Sequence, residues 1–324
     1  MAEPLLKARA LTKHFPIRRG LLQRDAGQIR AVDGIDLEVF RGETLGLVGE
    51  SGCGKSTVSR VLVGLLKPSS GEVFFDGKDV AKLRPSEFKA ARADMQFVFQ
   101  DPIGSLDPRM KVGAIVAEGL KAQGRLSRTE INSLVLEILH AVGLPDEAVR
   151  RYPHEFSGGQ RQRIGIARSL VLRPKLVIAD EPVSALDVSI QSQVLNLLVD
   201  LKRQLQLTYV FVAHNLAVVG YISDRIAVMY LGKIVELAKT ADIFAQPRHP
   251  YTQALLSAIP EPVVGRKKQR MILTGDVPSP ANPPSGCRFR TRCPMAQALC
   301  AEKEPELTVE PGNADGHGVA CHFA

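Results

Sequence analysis

The chain has 324 residues, of which 45% are hydrophobic and 23% charged, and its formal net charge is +8 at pH 7. This length predicts one large domain with a smaller appendage, and the composition is ordinary for a folded soluble protein. No apolar run approaches the ~18 residues that indicate a membrane span, and residues 1–4 do not resemble a secretory signal. The basic residues are scattered and Trp is missing, so we expect no nucleic acid partner. Any role at a membrane is therefore expected to depend on partner proteins.

A phosphate-binding pattern is the first strong signal along the chain. Residues 44–48 predict a buried strand, residues 49–56 match G-x-x-x-x-G-K-[ST], and a helix is predicted at about 56–66. Glycines let backbone N–H groups converge on phosphates, and the helix N-terminus adds positive potential. Lys55 is expected to reach the β- and γ-phosphates, and the Ser56 hydroxyl to bind Mg²⁺. The predicted ATP-binding residues here are Gly49, Glu50, Ser51, Gly52, Cys53, Gly54, Lys55, Ser56 and Thr57.

The middle of the chain changes in character at about residues 101–174, where apolar side chains recur near the helical period. The clearest such segment is 128–142, and the whole region predicts a mostly helical insertion. Two further buried strands are predicted at 176–179 and 209–213. Short apolar strands flanked by helices fit a sheet covered on both faces, so the sequence predicts an α/β core.

Three polar residues follow the ends of these two strands. Asp180 is expected to hold Mg²⁺ at the carboxyl edge of the sheet, where ligands bind in such folds. Glu181 follows directly and is expected to polarise the attacking water. His214 is expected to contact the γ-phosphate and to sense hydrolysis. These residue types predict a site that both binds and hydrolyses a nucleotide.

Residues 156–163, Phe-Ser-Gly-Gly-Gln-Arg-Gln-Arg, resemble the signature sequence of ABC ATPases. In that family the signature contacts the γ-phosphate of an ATP held by the opposite subunit, which fits the anion-binding start of a helix. The signature residues implied by this resemblance are Ser157, Gly158, Gly159 and Gln160.

Other family motifs occur in the expected order. Gln100 resembles the Q-loop residue, which is implied as a catalytic residue and a third Mg²⁺ ligand. Ser184 and Asp187 resemble the D-loop, and His214 the switch histidine. Phe15 lies where the family places an aromatic ring against adenine. The resemblance therefore implies an ATP hydrolase that works as a dimer with two ATP molecules and Mg²⁺.

The implied fold is a P-loop NTPase ABC cassette with a RecA-like core, an antiparallel β subdomain and a helical subdomain at about 101–174. The cassette is expected to cover residues 1–260, and a short Cys-containing C-terminal extension residues 261–324. Residues 277–286 are rich in Pro and predict an extended connector inside that extension.

Four segments narrow the resemblance to dipeptide/oligopeptide importers, and the chain looks closest to their F-type ATPase subunit. The segments are 16–30, 101–109, 248–256 and 286–294. The resemblance implies two transmembrane permease subunits, a second ABC ATPase that completes a heterodimer, and a periplasmic or lipid-anchored peptide-binding protein. It places the chain peripherally on the cytoplasmic face of the inner membrane. Alternative cargoes are nickel, glutathione or an antimicrobial peptide, and the more distant alternative is a soluble ABC ATPase of translation or DNA repair.

Four of the five cysteines crowd into the last part of the chain, at Cys287, Cys293, Cys300 and Cys321. Without a secretory signal, this pattern indicates metal ligation rather than disulfides. Paired C-x-x-C spacing is absent, and four thiolates can hold zinc or an iron–sulfur cluster. The resemblance favours a [4Fe–4S] cluster, while zinc and free thiols remain open. Cys53 is expected to be a small filler in the phosphate-binding loop.

Overall fold

The computed structural model describes residues 3–19, 24–101, 104–260, 271–309 and 316–324. They form two compact units, the first mainly from Val39–Glu43 and Lys82–Val212, the second from Leu5–Glu38, Thr44–Ala81 and Ala213–Ala324. In the part of the chain so described, no helix is both long and apolar enough to cross a membrane. The predicted domain boundary at residue 260 adjoins residues 261–270, which lie outside the described part, and it stays a prediction. Residues 102–103 and 20–23, within segments that resemble peptide importers, also lie outside it.

In chain order the strands are β1 (Pro4–Arg19), β2 (Arg24–Phe40), β3 (Thr44–Val48), β4 (Ser70–Phe75), β5 (Lys78–Asp79), β6 (Met95–Val98), β7 (Leu176–Asp180), β8 (Thr208–Ala213), β9 (Arg225–Tyr230), β10 (Lys233–Lys239), β11 (Thr308–Val309) and β12 (Gly318–Val319). The α-helices are α1 (Lys55–Leu62), α2 (Pro85–Asp94), α3 (Val112–Gln123), α4 (Arg128–Ala141), α5 (Gly158–Leu170), α6 (Val188–Leu205), α7 (Leu216–Ile222), α8 (Thr240–Ala245), α9 (Pro250–Ser257) and α10 (Leu299–Glu302). Three 3₁₀ turns lie at Val80–Lys82, Asp146–Arg150 and Pro153–Glu155.

The first unit contains three parallel strands in the order β6, β7, β8. Every residue of β7 and β8 is buried, and both strands are continuous apolar runs apart from their ends. Such runs are expected where helices cover both faces of a parallel sheet. Asp180 is the last residue of β7 and therefore lies at the carboxyl end of this strand.

Helices α3, α4 and α5 pack on one another in the first unit and occupy the region predicted to be helical. Helix α4 begins at a reciprocal capping box, in which the Ser127 hydroxyl accepts from the Glu130 N–H and the Glu130 carboxylate accepts from the Ser127 N–H. Helix α3 ends at Gly124, which has a φ of 68° and closes the helix in the left-handed conformation. Local sequence signals thus define the ends of these helices.

The second unit contains a separate sheet in the order β2, β1, β4, β5. Strand β4 runs antiparallel to both β1 and β5. Side chains on the buried face of this sheet include Leu6, Ala8, Val73 and Phe75. The sheet matches the antiparallel β subdomain expected near the N-terminus.

The other strands of the second unit form a sheet to which the end of the chain contributes. Strand β3 pairs parallel with β9, and β10 pairs antiparallel with β9. The short strand β12 then adds antiparallel to β10, and β11 adds to β12. Residues 277–286 contain neither helix nor strand, as predicted for the connector. The extension is thus built into the sheet that carries the phosphate-binding loop.

Candidate nucleotide site

The phosphate-binding loop joins β3 to α1 in the second unit. A Cβ atom on Gly49 would lie 2.1 Å from the carbonyl oxygen of Met229, and one on Gly54 would lie 2.0 Å from that of Ala31. Gly54 also has a φ of 110°, which side-chain-bearing residues rarely adopt. Glycine is therefore required at both positions for the loop to reach the start of α1.

Lys55 is held inside this loop, with only 4% of its surface exposed. Its Nζ donates hydrogen bonds to the carbonyl oxygens of Gly49 at 2.8 Å and Glu50 at 3.0 Å. Ser56 and Thr57 are partly exposed in the first turn of α1. The ammonium group and the N-terminal turn of the helix fit a polyphosphate, and the Ser56 hydroxyl is a hard oxygen ligand of the kind that Mg²⁺ prefers.

Asp180 and Glu181 occupy the end of β7 in the first unit. Asp180 is the last residue of the strand and is 2% exposed, so a buried carboxylate lies at the strand end, and its role as a Mg²⁺ ligand stays a prediction. Glu181 has a φ of 48°, a conformation that costs a non-glycine residue of order 1–3 kcal/mol. Its N–H donates to the Val212 carbonyl at 2.9 Å, and its own carbonyl accepts from the Ser184 hydroxyl at 3.0 Å. The predicted D-loop serine thus fixes the strained backbone of the predicted general base.

The structure also brings Gln100 and Glu181 together within the first unit. The Gln100 Nε2 donates to the Glu181 Oε2 at 3.1 Å, across 81 residues of sequence. Gln100 is also a predicted Mg²⁺ ligand, and its amide oxygen, which this hydrogen bond does not use, is the atom suited to that role. The hydrogen bond from Gln100 orients the Glu181 carboxylate.

The predicted signature begins α5 with a second reciprocal capping box. The Ser157 hydroxyl accepts from the Gln160 N–H at 3.3 Å, and the Gln160 side-chain oxygen accepts from the Ser157 N–H at 3.1 Å. Ser157, Gly158 and Gln160 are exposed. The first turn of α5 is thus held by its own capping box and open to solvent, which leaves its N–H groups accessible to an anion.

Comparison with known proteins identifies the family. The model of the ABC transporter family matches residues 32–184, and that of the oligopeptide/dipeptide transporter C-terminal region matches residues 235–300. The oligopeptide transport ATP-binding protein AppF of Bacillus subtilis is 51% identical over 99% of this chain and 98% of its own length. The chain belongs to the ABC transporter ATP-binding subunits. OppF of Escherichia coli, another oligopeptide transport ATP-binding protein, is 50% identical over 98% of this chain and 95% of its own length.

Solved structures confirm the ABC cassette fold. A structure of cbiO1 from Clostridium perfringens, part of the ABC transporter complex cbiONQ, has a TM-score of 0.64 and 30% identity, covering 75% of this chain and 92% of that one. A dimeric post-hydrolysis ATP-binding cassette bound to ADP and Pi also has a TM-score of 0.64 and 30% identity, covering 72% and 98%. The chain is therefore an ABC ATPase that uses ATP and Mg²⁺, and its glycine-lined loop and buried Asp180 fit that pair.

The remaining predicted nucleotide residues of this ABC subunit lie on exposed or partly exposed surfaces. Phe15 is partly exposed on β1, with the Lys13 Nζ 5.1 Å from its ring centroid. His214 is exposed directly after β8. The following Asn215 accepts the Ala217 N–H at 2.9 Å and so begins α7. Asp187 is exposed immediately before α6.

The tail cysteines Cys287, Cys293, Cys300 and Cys321 all line one small pocket of the second unit. Burial raises the pKa of Cys287 to about 11 and also raises the pKa of Cys293. In the described ranges, no three His, Cys, Asp or Glu side chains are arranged to hold a metal ion. The predicted ligands thus share a pocket without forming a site for a single ion. Cys53 is apart from them, buried in the phosphate-binding loop.

Two residues that touch the phosphate-binding loop received no role from the sequence. The Tyr251 hydroxyl accepts the Glu50 N–H at 2.8 Å, and Arg292 binds the Glu50 carboxylate. Tyr251 lies on α9, and Arg292 lies in the tail between Cys287 and Cys293. No short-range pattern links these positions to residue 50, because each contact crosses 201 or more residues.

Proposed function

We propose that this chain is an ATP-hydrolysing subunit of an importer of dipeptides or oligopeptides. Its support is the similarity over nearly its whole length, tail included, to proteins named as oligopeptide transport or peptide import ATP-binding proteins. Residues 235–300, which include the first part of the tail, match the oligopeptide/dipeptide transporter C-terminal region. Cargo choice belongs to other subunits, so nickel, glutathione and antimicrobial peptides are the alternatives.

In this proposal each role in ATP binding and hydrolysis belongs to identified groups of the chain. The loop N–H groups and Lys55 bind the phosphates, and Phe15 stacks on adenine. Ser56, Gln100 and Asp180 would hold Mg²⁺, which would neutralise phosphate charge when bound. Glu181 accepts a proton from the attacking water, and its strained backbone and its bond to Gln100 orient it for this. His214 contacts the γ-phosphate.

A second ABC subunit completes each site. The exposed first turn of α5, opened by Ser157, supplies N–H groups to the nucleotide of the partner. ATP therefore joins the two subunits, hydrolysis separates them, and the helical region passes this motion to two membrane permeases. We infer a heterodimer with a related subunit, a peptide-binding protein outside the membrane, and a position on the cytoplasmic face of the inner membrane.

The partners are tested by capturing the Glu181→Gln chain with ATP from gently solubilised membranes, because a hydrolysis-deficient subunit stays closed on its partners. We expect mass spectrometry to find two multi-span permeases, a second ABC ATPase and a peptide-binding protein. The same capture without ATP is the control and should recover less of the second ATPase. Recovery of ribosomal or DNA-repair proteins without permeases would instead support the soluble alternative.

For the tail, the proposal is that the four cysteines hold a [4Fe–4S] cluster. All four cysteines line one pocket, and thiolates are the usual ligands of such clusters. A zinc ion needs its sulfurs within about 2.3 Å of one point. A cluster distributes its four thiolate ligands over a body larger than a single ion.

This proposal predicts iron in the purified chain. Anaerobic purification should give about four irons and four sulfides per chain with broad visible absorbance. Cys300→Ser should lose most of that iron, because Cys300 is a buried member of the pocket. Cys53→Ser, which changes a buried cysteine elsewhere, should keep it. Protein without iron and without the absorbance would overturn the cluster, and one equivalent of zinc would support the alternative metal.

A further inference from the structure

Glu50, the second residue of the phosphate-binding loop, is held at both its backbone and its side chain by residues from the end of the chain. Its N–H donates to the Tyr251 hydroxyl at 2.8 Å. Its carboxylate accepts from both terminal nitrogens of Arg292, at 2.6 Å from Nη1 and 3.1 Å from Nη2. A bidentate arginine–carboxylate pair is both strong and directional. The conformation of the loop at Glu50 is thus set from outside the loop.

Arg292 is itself held rigidly. It is 9% exposed, and its guanidinium carbon lies 5.9 Å from the ring centroid of Tyr230. Phe289, three residues earlier, is 1% exposed and packs with its ring centroid 5.2 Å from that of Tyr230 and 5.4 Å from that of Tyr251. Arg292 therefore presents a guanidinium group fixed by an aromatic cluster rather than a mobile surface charge.

A second arginine attaches the segment 287–293 to the sheets of the second unit. Arg288 is 7% exposed, donates to the Leu231 carbonyl at 2.5 Å and pairs with Asp33. Both arginines lie between Cys287 and Cys293. The segment 287–293 is thus attached at one end beside β9 and at the other to the phosphate-binding loop.

The Glu50 carboxylate stands in a loop that binds a polyanion, where an unpaired negative charge would repel the phosphates. We infer that Arg292 is a positioning residue of the nucleotide site, which fixes the Glu50 carboxylate and cancels its charge so that the loop accepts ATP. Arg292 acts through Glu50 and does not touch the nucleotide. The inference rests on the assignment of residues 49–57 as the phosphate-binding loop.

The test is the affinity of the full chain for a fluorescent ATP analogue with Mg²⁺, measured well below each variant's thermal transition. Arg292→Gln should bind at least about tenfold more weakly, because it leaves the Glu50 carboxylate unpaired beside the phosphates. Adding Glu50→Gln to that variant should restore most of the affinity, since it removes the unpaired charge. Arg290→Gln is the matched control, because Arg290 lies in the same segment but bonds only to Ser285 among the contacts found for its side chain in the described structure.

These measurements distinguish a specific role of Arg292 at the loop from a general structural role of the tail. Normal affinity in Arg292→Gln would overturn the inference, and so would a double variant that binds as weakly as Arg292→Gln, which would show a general structural role for the tail. Lys55→Ala tests the underlying assignment. If Lys55→Ala binds normally, the loop is not the phosphate site; if Lys55→Ala loses binding while Arg292→Gln keeps it, only the inference about Arg292 fails.

Discussion

Replacing Glu181 by Gln is expected to lower steady-state ATP turnover by about 10²–10⁴-fold, because general base catalysis contributes an effect of that size. The amide keeps the shape of the side chain but cannot accept a proton from water. The backbone of Glu181 should not change, since its N–H and carbonyl are held by Val212 and Ser184. ATP affinity is therefore expected to stay near that of the unchanged chain.

Phosphate release and binding of a fluorescent ATP analogue, measured on the same preparation, check this prediction. Glu147→Gln is a suitable control, since Glu147 is an exposed acid of the same unit and lies in the 3₁₀ turn Asp146–Arg150. Turnover equal to that of the unchanged chain in Glu181→Gln would assign the base elsewhere. Loss of ATP binding would show that Glu181 acts on binding rather than on hydrolysis.

The second large effect is expected from Lys55→Ala, which should weaken Mg²⁺–ATP binding by about 100-fold or more. The ammonium group is buried and bonded to two carbonyl oxygens of the loop. Its removal takes away the positive charge for the phosphates and also leaves those two carbonyl oxygens without their donor. We therefore expect Lys55→Ala to lose ATP affinity and also the native conformation of the loop.

Calorimetric titration with Mg²⁺–ATP measures this loss, and a urea unfolding curve shows whether the fold persists. Lys67→Ala removes the same charge from an exposed position just beyond α1 and should bind ATP normally. A folded Lys55→Ala chain that binds ATP as tightly as the unchanged chain would contradict the assignment of the loop.

The sequence predicted the elements whose signals are local. Strand β3 has the predicted limits, and α4 begins at the predicted residue because Ser127 and Glu130 form a capping box. Helix α1 ends at Leu62 rather than near residue 66. Gly64, with a φ of 71°, takes the left-handed conformation that ends helices, and the apolar side chains beyond it do not extend the helix.

Contacts that join distant parts of the sequence were not predictable from it. Gln100 and Glu181 were each predicted from the sequence as site residues, but their hydrogen bond to each other was not predicted. The bond from Arg292 to Glu50 spans 242 residues and has no counterpart in spacing or periodicity. The segment around Arg292 contains two cysteines and several arginines. Such a composition indicates metal ligation or a charged surface, and it gives no sign of a contact with the phosphate-binding loop.

The addition of β12 to β10 has a consequence for synthesis of the chain. Glu236 of β10 is fully buried, and its carboxylate accepts from the N–H groups of Arg248 and His249 and pairs with His317, 81 residues later. Until His317 and β12 leave the ribosome, β10 has an open edge and Glu236 lacks one partner. The native sheet is therefore completed only after residues 317–319 have been synthesised and have folded against β10, and a chain truncated before them is expected to leave this edge exposed.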